Sequence, residues 1–186
     1  MGIPDRKERE RQHRRETILN AAKELFFSKG YSTTMEEIAE RSELSKGTIY
    51  LYYHSKDELY ISVILEGFRL LEERIKKALR AGKNVERRVK AVYYAFIDHC
   101  FDNREYFRIT QYFLTEDARR NTSAELVATI NRSTAELLQY GSGVIREGIE
   151  QGKFRSDIDP DAMAVIVWRM ATGLLDLAMV DEGAGG

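Results

Sequence analysis

Apolar residues recur along this chain at the i, i+3, i+4, i+7 spacing that sets them on one face of an α-helix. Ile18, Leu19, Ala22, Leu25 and Phe26 predict a helix over 14–29, stopped by Gly30 as a C-cap. Two short helices fit 31–59. Thr33 or Thr34 can N-cap the first, with Glu36 or Glu37 three residues on completing a capping box, and Met35, Ile38 and Ala39 share its inner face. Ser45 can cap the second, over 45–53, whose inner face carries Ile49, Tyr52 and Tyr53. Only Ser42, Glu43 and Leu44 separate the two, which predicts a helix-turn-helix braced by the helix before it.

A long helix follows over 56–80, with Ile64, Phe68, Leu71, Ile75 and Leu79 as its stripe and Gly82 after it. Val85, Val89, Val92, Phe96 and Cys100 predict a helix over 85–101, and Asn103 restarts a shorter one ending near Leu114. Residues 117–122 read as a charged loop. A helix over 123–150 carries Leu126, Ile130, Leu137, Ile145 and Ile149; Gly141 and Gly143 inside it mark a bend or a close helix contact. Asp159-Pro160 opens a last helix over 161–180 that is apolar nearly all round. Its length nearly allows a membrane span, but Arg169 and Asp176 would be expensive in lipid, so burial against the rest of the chain and a second subunit is expected.

Two prolines in 186 residues, with helix breakers confined to a few places, favour an all-α fold. The formal net charge is −1, and residues 1–60 balance eleven Lys plus Arg against eleven Asp plus Glu. A nucleic-acid partner must therefore be argued from placement, not from total charge. The polar run 1–15 reads as a solvated, frayed end or as an arm that reaches DNA phosphates or the minor groove. One cysteine, Cys100, excludes a disulfide within the chain, and a charged rather than apolar start argues against a signal peptide; both suit a cytoplasmic location. Glu10 and His13 have the spacing of one half of a carboxylate-bridged metal site, with no second half. Asp98, His99 and Cys100 are sequence neighbours and diverge on a helix, so no nucleophile and base converge. The reading is a protein that is not an enzyme and has no metal or cofactor. An all-helical enzyme or small-molecule carrier is the rival class.

The outer face of 45–53 gives the placement. Gly47, Tyr50, Leu51 and His54 point away from Ile49, with Lys46 and Thr48 at the flanks. A helical glycine costs roughly 1 kcal/mol against alanine. A bare backbone there makes sense where a base edge must approach closely. Tyr50 and Tyr52 offer phenol hydroxyls to phosphate oxygens, and Lys46 and Lys56 supply charge, Lys56 near the N-terminus of the next helix.

Thr34, Ile38, Ala39, Ser45, Gly47, Tyr50, Tyr52, Tyr53, Lys56 and Leu59 fall in a pattern that resembles the N-terminal domain of the tetracycline-repressor (TetR) family. The likeness reaches back to about Arg14. Two positions depart from it. Ser42-Glu43 stands where the family has Ala-Gly, so a left-handed Glu43 would cost about 1 kcal/mol relative to glycine; Tyr53 replaces the usual Phe.

The resemblance implies an all-α, two-part protein: a DNA-binding head over 1–55 and a helical effector-binding and dimerisation body over 56–186. It implies a repressor that binds a palindromic double-stranded operator as a homodimer through C-terminal helices, with no membrane role. Lys46, Gly47, Thr48 and Leu51 would read bases; Thr34, Ser45, Tyr50, Tyr52, His54 and Lys56 would hold phosphates. An apolar to amphipathic small-molecule effector would sit among the body helices. Tyr93, Tyr94, Phe96, Tyr106, Tyr112 and Phe113 are its expected lining, because a tyrosine hydroxyl is a poor core filler without a partner, and Trp168 and Met170 would form the far wall. Two terminal helices pair with their copies in the family's dimers. If the helix over 123–150 is one of that pair the interface is complete; otherwise a terminal helix is missing, through truncation or divergence.

Overall fold

A computed structural model describes residues 3–183, with side chains over 6–179. Its regular elements are the helices α1 (Ile3–Lys29), α2 (Met35–Arg41), α3 (Lys46–Tyr50), α4 (Lys56–Ala81), α5 (Val85–Asp102), α6 (Arg104–Leu114), α7 (Glu116–Arg120), α8 (Ala124–Glu150) and α9 (Pro160–Gly183), with a 3-10 turn at Gly30–Ser32. The fold is all-α, as the periodicity requires. The chain divides into two compact units, Met1–Glu66 with Glu105–Ile130, and Gly67–Arg104 with Asn131–Gly186.

In the first unit, α1 starts well before the expected position, so the polar run is helical from residue 3 and is not a frayed end. Its residues are good helix formers, and they support one another locally. Arg6 donates to Glu10 at 3.0 Å, Gln12 to Glu16 at 2.8 Å, and Thr17 to the His13 carbonyl at 2.9 Å. Residues 1–2 of that run lie outside the described residues. Ile18, Ala22 and Phe26 of α1 are buried with Ile38 of α2, Ile49 of α3 and Leu59, Tyr60 and Ile64 of α4. Gly30 takes a left-handed φ of 64°, the conformation its C-cap role needs.

Helix α6 belongs to this unit. Tyr106 meets Phe27 edge-on at 4.9 Å, the Tyr60 hydroxyl donates to the Ile109 carbonyl at 3.0 Å, and the Arg108 guanidinium donates to the Phe27 carbonyl. Packing thus groups α6 and α7 with the three N-terminal helices, although an effector body over 56–186 was expected to own them. The expected loop at 117–122 is partly helical: α7 is a single turn and a half, stapled by an Arg120–Glu116 pair at i, i+4.

In the second unit, Leu71, Ile75, Val85, Val92, Ala95 and Val144 form the core, flanked by Phe96, Leu137, Tyr140 and Phe154. Asn84 caps α5, accepting from the Arg87 amide at 2.9 Å. Helix α8 runs unbroken through Gly141 and Gly143. Gly141 marks a close contact: a β-carbon there would lie 3.3 Å from the Tyr93 hydroxyl and 3.6 Å from the Ala164 methyl. Asp159 caps α9, accepting from the amides of Asp161 at 3.0 Å and Ala162 at 3.2 Å, with Pro160 at the first helical position. Ala164, Thr172 and Leu175 turn inward, while Val165, Ile166, Met170, Leu174 and Leu177 are exposed. The segment Pro160–Met179 is long and apolar enough to cross a membrane by length and composition.

Candidate nucleic-acid interface

Local chemistry fixes each part of the helix-turn-helix. Thr34 is the N-cap of α2: its hydroxyl accepts from the Glu37 amide at 3.2 Å, and the Glu37 carboxylate accepts from the Thr34 amide at 2.8 Å. Of the alternatives open in the sequence, the box is Thr34 with Glu37. Lys29 beside Glu37, together with that capping bond, holds the carboxyl down at about 2. The turn is set by Ser42, whose buried hydroxyl donates to the Ile38 carbonyl at 2.7 Å, and by Glu43, which takes the left-handed φ of 56°. Ser45 then caps α3, accepting from the Thr48 amide at 3.1 Å.

Helix α3 spans Lys46–Tyr50 and ends before the expected 53. Tyr52 and Tyr53 both donate their amides to the Ile49 carbonyl, at 2.9 and 3.0 Å, which closes the helix in a turn. Ile49 and Tyr53 are buried and anchor it. The Arg15 guanidinium of α1 lies 4.6 Å from the Tyr53 ring centroid and donates to the Tyr52 carbonyl at 3.4 Å. This contact fixes the end of α3 against α1.

Ser45, Lys46, Gly47, Tyr50, Leu51 and His54 are exposed, Leu51 by 76%, and Thr48 is half-buried. These form one outward surface. Tyr52 is half-buried. Lys46 pairs with exposed Glu36, and this hydrogen bond raises the lysine and lowers the carboxyl from their ordinary values. Its ammonium is thus held charged at the edge of the surface. Besides Ser45, whose hydroxyl caps α3, two of the expected phosphate-holding side chains have other engagements. The Thr34 hydroxyl serves the capping box. The Lys56 ammonium donates to the Tyr31 carbonyl at 2.8 Å and stands 3.9 Å from the Tyr31 ring centroid, so it fastens α4 to the turn after α1.

The sequence offered the basic run 1–15 as an arm toward DNA without naming which of its side chains share a face. Lys7, Arg11 and Arg14 line, with Glu10, Leu51 and Tyr52, an open groove of about 310 Å³ beside the end of α3. Their i, i+4, i+7 spacing was the available signal.

The seven expected aromatic effector-lining residues are divided between the two compact units. Tyr106, Tyr112 and Phe113 lie in the first compact unit; Tyr93, Tyr94, Phe96 and Trp168 lie in the second. Tyr94 is 62% exposed. Phe96 packs on the second unit's core. Trp168 is half-buried, with the Arg169 guanidinium 5.0 Å from its ring. The Tyr93 hydroxyl is buried without a hydrogen-bond partner, beside Gly141. Tyr112 and Phe113 line a recess of about 80 Å³ together with Tyr31 and Tyr60, two residues absent from the expected set. Burial lowers His99 to about 4, helped by Arg74, and lifts the Cys100 thiol to about 12.

A sequence profile described as "Bacterial regulatory proteins, tetR family" matches residues 18–63. The chain is 26% identical over 165 residues to the uncharacterized HTH-type transcriptional regulator YhgD of Bacillus subtilis, covering 87% of this chain and 82% of that one. It is 26% identical over 150 residues to the HTH-type transcriptional repressor KstR2 of Mycobacterium tuberculosis, covering 80% and 72%. Among solved structures, the transcriptional regulator FadR from Bacillus subtilis in complex with stearoyl-CoA has a TM-score of 0.76 at 21% identity, over 90% of this chain and 88% of that one. That likeness is one of fold.

Proposed function

Because this chain belongs to the TetR family of bacterial regulatory proteins, we propose that this transcriptional regulator is a ligand-responsive repressor that binds a palindromic operator as a homodimer. The head over 1–55 binds DNA, and the body over 56–186 binds effector and partner subunit. The observation that carries the reading is the surface of α3. A five-residue helix held from behind by Ile49 and Tyr53 turns Lys46, Gly47, Tyr50 and Leu51 to solvent, where a major groove can receive them. Lys46, Gly47, Thr48 and Leu51 read base edges; Ser45, Tyr50, Tyr52 and His54 hold phosphates, joined by Lys7, Arg11 and Arg14. Thr34 and Lys56 contribute mainly by fixing the two helices.

The five exposed apolar side chains of α9 are the dimer contact, and this use of the helix accounts for its composition without a membrane. The two heads of the dimer then stand about 34–36 Å apart, or a multiple of that, to reach successive major grooves. The effector is apolar to amphipathic, the class to which the stearoyl-CoA held by Bacillus subtilis FadR belongs. The protein acts in the cytoplasm and is not an enzyme.

The test is a mobility-shift assay on genomic fragments that the purified protein retains. Lys46→Ala and Tyr50→Ala should each remove about 1–3 kcal/mol of operator affinity, leaving helical circular dichroism intact. Wild-type affinity should fall steeply between about 50 and 200 mM salt. Unchanged affinity in both variants would overturn the reading face, and no retention of DNA at any salt would favour a carrier.

A further inference from the structure

The recess of about 80 Å³ in the first compact unit is built from three separate stretches: Tyr31 in the turn after α1, Asp57 and Tyr60 at the start of α4, and Tyr112, Phe113 and Asp117 along α6 and α7. The three tyrosine rings pack on one another, Tyr31 on Tyr60 at 5.3 Å, Tyr31 on Tyr112 at 5.4 Å and Tyr60 on Tyr112 at 6.1 Å. The Tyr31 hydroxyl donates to the Asp57 carboxylate, and the Tyr60 hydroxyl is turned away to the Ile109 carbonyl. Among the described residues, the lining holds two carboxylates, an amide and hydroxyls, and no lysine, arginine or histidine.

We propose that this recess binds a small organic cation, a protonated amine carrying a short apolar body. Three properties of the lining select that class. An ammonium brings donors and no acceptor, and the lining offers it the carboxylate oxygens of Asp57 and Asp117. The apolar body has Ile61 and Phe113 to lie against. The space takes about five water-sized atoms, which excludes a long chain or a ring system with substituents. The cluster already stabilises one cation of its own, since the Lys56 ammonium stands over the Tyr31 ring outside the lining, 3.9 Å from its centroid. An anion would face both carboxylates, and a neutral ligand would bring them no charge. The site is distinct from the apolar effector of the body: it touches the turn between α1 and α2, so its occupant bridges the DNA-binding helices to α6 within one packed unit.

Binding of n-butylammonium to the full-length protein, followed without DNA by ligand-detected NMR and by calorimetry at fixed ionic strength, tests the site. Butylammonium should bind saturably and about tenfold or more tighter than 1-butanol, with butyrate not binding, since only the amine adds charge-assisted contacts to the carboxylates. Asp117→Asn, at an exposed position, should weaken the amine about tenfold and leave 1-butanol unchanged. Asp57→Asn should do the same; because it also alters the Tyr31 contact, circular dichroism accompanies it, and Asp117→Asn decides if that variant misfolds. Equal binding of amine and alcohol, an amine affinity indifferent to Asp117→Asn, or no amine binding up to its solubility limit would each overturn the site. None of these outcomes depends on operator binding.

Discussion

Helices α3 and α9 both turn large side chains to solvent, with different chemistry. The surface of α3 interleaves Leu51 with Lys46, Tyr50 and the hydroxyl of Ser45, so its apolar and hydrogen-bonding groups alternate. A partner that matches it must itself be polar, charged and punctuated by methyl groups, which describes a base-pair edge flanked by phosphates. Helix α9 presents Val165, Ile166, Met170, Leu174 and Leu177 as a more continuous apolar face, with exposed Arg169 and Asp176 at its side, and its match is another apolar face with a polar margin. Each helix also carries an outward glycine with free space around it. A β-carbon at Gly47 would meet only the Ser45 hydroxyl at 3.9 Å, and one at Gly173 would meet nothing within 4 Å. No internal packing explains either glycine, so both sites are suited to close approach from outside.

The largest break in this comparison comes from charging the α9 face. Leu174→Glu with Leu177→Glu places carboxylates on side chains that are 66% and 68% exposed, so the isolated fold should keep its helical circular dichroism. In the dimer these charges would be buried unpaired. We expect a monomer in sedimentation velocity and a loss of about 100-fold or more in operator affinity, because two heads no longer bind as one. A variant that still sediments as a dimer would show that the apolar face of α9 serves something else.

Acid sharpens the contrast between the units that carry the two helices. In the second unit His99 is buried and titrates at about 4 instead of 6.5. The unfolded chain takes up this proton below pH 6.5 while the folded one does not until about 4. Stability from a neutral buried His99 is therefore complete above pH 6.5 and is lost as pH falls from 6.5 toward 4, about 2 kcal/mol of it by pH 5. In the head, Glu37 is held at about 2, so its contribution persists until pH falls below the usual carboxylate value of 4.5. Urea denaturation at pH 7 and pH 5 should show a loss in the wild type that His99→Gln lacks. Equal losses in both would place the acid-sensitive group elsewhere.

This difference also governed what the sequence made legible. The head is written in short-range signals: Thr34 with Glu37, Ser45 with Thr48 and Gly30 after α1 each specify a local geometry within a few residues, and each is met in the structure. The long helices and the turn from α9's Asp159 cap were legible for the same reason. What escaped depends on partners distant in sequence. Tyr31 and Tyr60 could not be joined to Tyr112 before α6 was known to pack beside α1 and α4. The seven aromatic residues were grouped by composition, and tertiary packing divided them between two units. The 3–15 helix was missed because its residues have no apolar stripe, and its support comes from charged pairs at i, i+4.

Gly47→Ala should separate binding from stability. The free protein has room for the methyl group, and alanine favours the helix by up to about 1 kcal/mol, so the melting temperature should hold or rise. Operator affinity should fall about tenfold as the methyl pushes against the groove. A variant that keeps full affinity would mean that Gly47 does not face a base edge. Gly173→Ala is its counterpart on α9: equally tolerated in the monomer, and weaker in self-association by sedimentation equilibrium.

The smallest effect concerns how α3 acquires its direction. Glu43 bears the left-handed turn that aims α3, and a non-glycine residue there costs about 1–2 kcal/mol, part of which glycine returns as unfolded-chain entropy. Glu43→Gly should therefore stabilise the protein by about 0.5–1 kcal/mol, a rise of a few degrees in thermal unfolding at this chain length. The backbone path is unchanged, so operator affinity should stay within about twofold, apart from the gain expected where a negative charge leaves the neighbourhood of phosphates. A loss of stability would mean that the exposed Glu43 side chain contributes something its geometry does not reveal. Helix α9 is held differently: Ala164, Thr172 and Leu175 pack inward and Arg146 of α8 donates to Asp161 in its first turn, so a change to the buried residues should redirect its outer face more than a change in the turn before it.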